Sequence, residues 1–85
     1  MISAMAVRLH ADGSSVQTPP LGRYRHFKGA EYELIDVGKH TETGDLLVVY
    51  RPCADPGQTW IRPLEMFLDV VERGGHRVPR FTFVA

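Results

Sequence analysis

Glu31-Tyr32-Glu33-Leu34-Ile35-Asp36-Val37-Gly38-Lys39-His40-Thr41-Glu42-Thr43-Gly44-Asp45-Leu46-Leu47-Val48-Val49-Tyr50 is the stretch that decides the fold. Its first nine residues alternate as a β-strand does, with Tyr32 and Leu34 on one face and Glu31 and Glu33 on the other. The phase slips at Ile35, because Ile35 and Val37 fall on the glutamate side. A bulge or a change of strand partner explains such a slip. Thr41–Asp45 is a polar turn with Gly44 where a positive φ is expected. Leu46–Tyr50 is an unbroken apolar run, the mark of a strand covered on both faces.

Outward from this pair the punctuation stays regular. Arg23–Lys28 reads as a short strand and Lys28-Gly29-Ala30 as a turn. Pro52–Gln58 is a loop, and Thr59–Arg62 is another strand. Pro63 opens a short helix over Leu64–Val71, since proline suits the first helical position. Gly74-Gly75 ends that segment, and Arg80–Val84 closes as a strand. The expectation is a mainly β fold, a small five-stranded SH3-like barrel with one short helix before the last strand. A small α+β roll is the alternative if the helix is longer.

Residues 1–20 differ from the rest. Ala11–Ser15 and Gln17–Pro20 favour turns and coil, and two consecutive prolines suit a domain edge. The expected organisation is a flexible leader over 1–20 and one domain over 21–85. The stretch Ala4–His10 could form a short strand, although nothing in it forces one.

At 85 residues the chain has room for one small core, so each large side chain matters. Ten basic residues against ten acidic ones argue against coating nucleic acid or an anionic membrane by bulk charge, though not against a local patch. No apolar run approaches a membrane span, no membrane contact is expected, and a cytoplasmic location is the default. The lone Cys53 excludes an intramolecular disulfide and reads as a small, partly buried apolar residue.

Five segments stand in order: Gly22-x-Tyr24-x-His26-x-Lys28-Gly29, His40-x-Glu42-Thr43-Gly44, Val49-Tyr50-Arg51, Trp60-Ile61-Arg62-Pro63-Leu64-Glu65-Met66-Phe67 and Val78-Pro79-Arg80-Phe81. Together they resemble domain-of-unknown-function family 1653, a group of short bacterial proteins, over about residues 22–81. The sequence departs at Pro52–Gln58, where that family more often carries an aliphatic and aromatic stretch. The resemblance implies a compact domain and brings no activity, cofactor or catalytic residue with it.

Candidate binding residues follow from residue type and position. Tyr24, His26 and Lys28 share one face of their strand, and Arg23, Arg25 and Phe27 share the other. An aromatic beside cations suits a single-stranded nucleic acid, because bases stack on rings while phosphates meet charge. A strand that keeps Tyr24 and Phe27 inside and leaves the cations solvated is the stronger reading. His40 and Glu42 flank a turn and could centre a small enzyme, or simply cap backbone groups as Thr41 and Thr43 can. Arg51, Arg62 and Arg80 flank apolar strands. Each could pair with Glu42, Glu65 or Asp69, or offer its fork to a carboxylate or phosphate ligand. Trp60, Met66, Phe67 and Phe81 read as core, with Trp60 as a peptide anchor the alternative.

No phosphate loop, nucleophile elbow or metal-ligand spacing is present. No catalytic residue, metal or cofactor is therefore assigned. The leading expectation is a non-enzymatic binding or accessory module for a protein or single-stranded nucleic-acid partner. A small enzyme centred on His40 and Glu42, or a purely structural domain, are the alternatives.

Overall fold

The computed structural model describes residues 6–9 and 15–85, with side chains from residue 18 onward. The strands are β1 (Ala6–Leu9), β2 (Ser15–Thr18, in a stretch expected as turn and coil), β3 (Gly22–His26), β4 (Glu31–Lys39), β5 (Leu46–Pro52) and β6 (Trp60–Pro63). After them come helix α1 (Leu64–Phe67) and strands β7 (Val70–Arg73), β8 (His76–Pro79) and β9 (Phe81–Phe83). The central element is an antiparallel five-stranded sheet in the order β6-β5-β4-β3-β9. Two hairpins, β1-β2 and β7-β8, stand outside it.

The phase slip at Ile35 is a real irregularity. Leu34 faces Tyr50 across the β4–β5 ladder, and the next pair is Asp36 with Val49, so Ile35 is the extra residue. Beyond it Val37 pairs with Val48 and returns to the core side, where both are buried. The bulge lets one long strand keep apolar residues inward along its whole length.

The mainly β expectation holds, and closure of a barrel does not. The sheet is open: among the described residues β6 and β9 remain its edges and do not pair. Strand twist nevertheless curls it strongly. The Arg62 guanidinium of β6 lies 5.7 Å from the Phe81 ring of β9, at the opposite edge.

The helix is shorter than expected, ending at Phe67 rather than Val71. The Asp69 carboxylate accepts the backbone N–H of Val70 at 2.8 Å, a local bond that competes with helix continuation. Val70 and Val71 then enter β7, and Gly74-Gly75, both at positive φ, make the turn of the β7–β8 hairpin. The glycine pair is thus a hairpin turn and not a helix stop.

The core sits in the hollow of the curled sheet. Tyr24, Leu34, Val37, Val48, Tyr50 and Phe81 from the sheet meet Phe67, the single buried residue of α1. Phe67 stacks on Phe81 at 4.3 Å and meets Tyr24 edge-on at 5.1 Å. The sheet's outer face is charged instead: Glu31 bridges Arg23 and Arg25, and Glu33 pairs with Arg51 across the ladder.

Gly22, at φ +140°, lets the C-terminus close onto β3. A Cβ there would stand 2.5 Å from the Ala85 carbonyl oxygen, which accepts the Arg23 N–H. Residues 6–9 pair with 15–18, while the other residues of the Ala4–His10 segment lie outside the described residues. Thr18 and Pro19 are buried, and the Pro20 carbonyl accepts the Tyr24 hydroxyl at 2.6 Å. Cys53 is exposed rather than partly buried.

Candidate functional site: the open end of the hollow

The inward face of the sheet is longer than its helical cover. The four-residue α1 spans only part of it, over Tyr24, Tyr50 and Phe81. Beyond the helix the same face continues through His26, Tyr32, Trp60 and Arg62, which are half-buried or exposed. Strand alternation places these four beside the core residues Tyr24, Leu34 and Tyr50.

These side chains form a joined aromatic surface. Tyr32 lies 5.7 Å from Trp60, 5.6 Å from Tyr50, 5.7 Å from Phe81 and 6.2 Å from His26. Most of these contacts are edge-to-face, the arrangement ring quadrupoles favour. Trp60 is 40% exposed, which corrects the expectation of a buried core tryptophan. Its indole N–H donates to the Gln58 side chain at 2.8 Å, and Gln58 in turn donates to the Asp55 carboxylate. The Pro52–Gln58 loop therefore fixes the orientation of Trp60.

Cations rim this surface. Arg62 donates from Nε to the Tyr50 hydroxyl at 3.1 Å, so the rest of its fork can face a ligand. Arg80 is three-quarters covered, and its buried Nε has no hydrogen-bond partner among the described residues. Among the described residues its carboxylate neighbour is Asp69, at the long distance of 4.0 Å. Burial lowers the pKa of His26, and the nearby charges of Arg62, Arg80 and Lys28 lower it further. His26 Nδ1 accepts the Lys28 backbone N–H at 3.1 Å, which leaves the neutral ring's proton on Nε2 as a donor.

The other expected site residues fall elsewhere. Tyr24 is buried in the core, and burial pushes its hydroxyl pKa up to about 12. It cannot join His26 and Lys28 as a stacking platform, because Phe67 of α1 covers its part of that face. Lys28 stands over Phe27, 5.8 Å from the ring centre. His40 Nδ1 accepts the backbone N–H groups of Glu42 and Thr43 at 3.1 and 3.2 Å, so that exposed turn is capped by its own histidine. Arg51 is engaged with Glu33 on the outer face. Glu65 lies in the first turn of α1, beside a cavity of about 380 Å³ shared with Asp45 and Leu46.

Sequence reasoning does not single out Tyr32, and it reads Phe81 as core and Trp60 as core first, with a peptide anchor as the alternative. The available signal is the alternation that sets Tyr32 beside Leu34 on one face. Among the described residues no group of three His, Cys, Asp or Glu could hold a metal, and no helix is long and apolar enough to cross a membrane.

Comparison with known proteins places the geometry in a family. A crystal structure of a DUF1653 protein from Bordetella bronchiseptica is similar, with 30% sequence identity and a TM-score of 0.69. The likeness covers 76% of this chain and 86% of that one. No curated protein matches the sequence. The family model described as protein of unknown function DUF1653 matches residues 22–83, which include every residue of the open-ended hollow. The chain belongs to the DUF1653 family.

Proposed function

We propose that this protein is a non-enzymatic binding module, and that the open end of its hollow holds a partner presenting an anionic group beside a flat, unsaturated one. The curled, unclosed sheet supports an SH3-like reading of the platform, with α1 as a partial lid. The observation that carries the reading is the juxtaposition of Arg62 and Arg80 with the rings of Tyr32, Trp60 and Phe81. Arg62 has no carboxylate within ion-pair distance among the described residues, and Asp69 only loosely engages Arg80. An arginine fork suits a phosphate or carboxylate, and neighbouring half-exposed rings suit a planar group. His26, held neutral, adds a donor and no competing acceptor on Nε2.

Trp60 reports on the site directly. A nucleoside 5′-monophosphate, which is planar and anionic, is expected to change Trp60 fluorescence saturably with a Kd of about 1 mM or below. Inorganic phosphate and the uncharged nucleoside should each bind more weakly. Arg62→Ala should abolish the response while the protein stays folded. A linear, non-saturating response at low salt would overturn the reading.

A further inference from the structure

The aromatic surface does not stop at His26. The His26 ring, in contact with Tyr32 and Phe81 on the inward side, also lies 4.4 Å from the tilted ring of Phe27, in the turn that follows β3. Four half-buried or exposed rings, Trp60, Tyr32, His26 and Phe27, therefore follow one another in steps of 5.7, 6.2 and 4.4 Å. The series passes around the end of β3 and leaves the hollow.

Phe27 opens a second feature. A groove of about 610 Å³ runs between the β3–β9 edge and the β7–β8 hairpin, lined by His26, Phe27, Arg25, Arg73, Val78 and Phe83 among others. None of its lining residues is acidic. Arg73 donates to the Phe27 carbonyl and sets its guanidinium 5.7 Å from the Phe27 ring centre. Lys28 lies 5.8 Å from the same ring. Cations thus flank the ring series, with Arg62 over Phe81 and Arg80 near His26 beside its middle, and Lys28 and Arg73 over Phe27 at its end. The nearby carboxylates of Glu31 and Glu33 are turned to the outer face by Arg23, Arg25 and Arg51.

We propose that this series of rings and cations binds a single-stranded nucleic acid, which runs from the hollow around the end of β3 into the groove. This rests on the binding site proposed above and extends it. The match is chemical: a nucleic-acid strand joins flat bases through anionic phosphates, and the surface sets consecutive rings beside cations. Zero net charge does not oppose it, because Glu31 and Glu33, the carboxylates nearest β3, are engaged by arginines on the outer face. The bases are unpaired in this arrangement, since a duplex hides their faces from stacking on side chains.

The test is anisotropy of a labelled ten-nucleotide oligopyrimidine against the full-length protein, with RNA, DNA, duplex and an acidic peptide of equal charge as separate arms. The single strands should bind at least about tenfold more tightly than the mononucleotide, through stacking on the added rings. Contacts to two to four phosphates predict a log–log salt slope of about −1.4 to −2.8. Phe27→Ala should cost the oligonucleotide about tenfold and leave the mononucleotide signal at Trp60 unchanged. Lys28→Gln, an exposed substitution with no folding consequence, should flatten the slope by about 0.7. RNA tighter than DNA, or the reverse, identifies which strand is bound and supports the proposal equally. An oligonucleotide no tighter than the mononucleotide, or insensitive to Lys28→Gln, would overturn the extended track while leaving the hollow as a binding site. Binding of the duplex or the acidic peptide in preference to the single strand would overturn it too. Failure of the mononucleotide as well would sink both.

Discussion

Phe67→Ala tests the architecture on which the site depends. Phe67 is 1% exposed and is the single buried residue of a four-residue helix, too short to persist without its contacts. Its ring stacks on Phe81 at 4.3 Å and meets Tyr24 and Tyr50 at 5.1 and 6.0 Å. Truncation removes the transfer energy of the ring and leaves a cavity among three aromatics, a loss of about 3–5 kcal/mol. A protein of 85 residues has a total stability of about 4–13 kcal/mol, so a large share disappears. The melting temperature should fall by about 12–40 °C, and the urea midpoint should fall with it. Trp60→Ala, at a ring 40% exposed, should cost only about 1–2 kcal/mol. Parallel urea denaturation of both variants measures the difference. A Trp60→Ala loss equal to or greater than that of Phe67→Ala would refute the division of this face into a covered core and an open site.

Gly22→Ala places a Cβ 2.5 Å from the Ala85 carbonyl oxygen at φ +140°, so it should cost about 1–3 kcal/mol and expose the Arg23 amide to hydrogen exchange. An unprotected Arg23 amide in the parent protein would contradict that account. His26 should titrate below its ordinary value by NMR, for burial and for the charges of Arg62, Arg80 and Lys28. The unfolded state then takes up the proton first, so stability is unaffected well above pH ~6.5 and declines as pH falls from there through the folded pKa. His26→Gln should remove that part of the decline. An anion seated beside the arginines should move the His26 titration back upward, and a titration unmoved by saturating ligand would place the ligand elsewhere. Removal of residues 1–17, which retains the buried Thr18 and Pro19, should leave the melting temperature within a few degrees if the leader is dispensable. A large drop would make the β1–β2 pairing part of the folded unit.

Local pattern in the sequence determined the five strands of the central sheet, through alternation in Glu31–Lys39, an apolar run in Leu46–Tyr50 and turn residues between the rest. Even the slip at Ile35 was legible, and it corresponds to the bulge between the Leu34 and Asp36 pairings. The short helix was overextended because Leu64–Val71 suits either period, and Gly74-Gly75 ends a helix as readily as it turns a hairpin. The membership of one face was likewise readable, since Tyr24 and His26 must point together. Which part of that face is core and which is surface was not. Tyr24 is sealed and His26 half open because α1 is short and the sheet curls beneath it, so cover ends partway along the strand. The same cause leaves Trp60 exposed beside Arg62, although an isolated tryptophan in so small a protein reads as core. The meeting of Arg62 with Phe81, and of Arg73 with Phe27, joins residues far apart in sequence. Only the curl of the sheet and the packing of the hairpin against its edge bring them within contact, and neither is written in a local pattern.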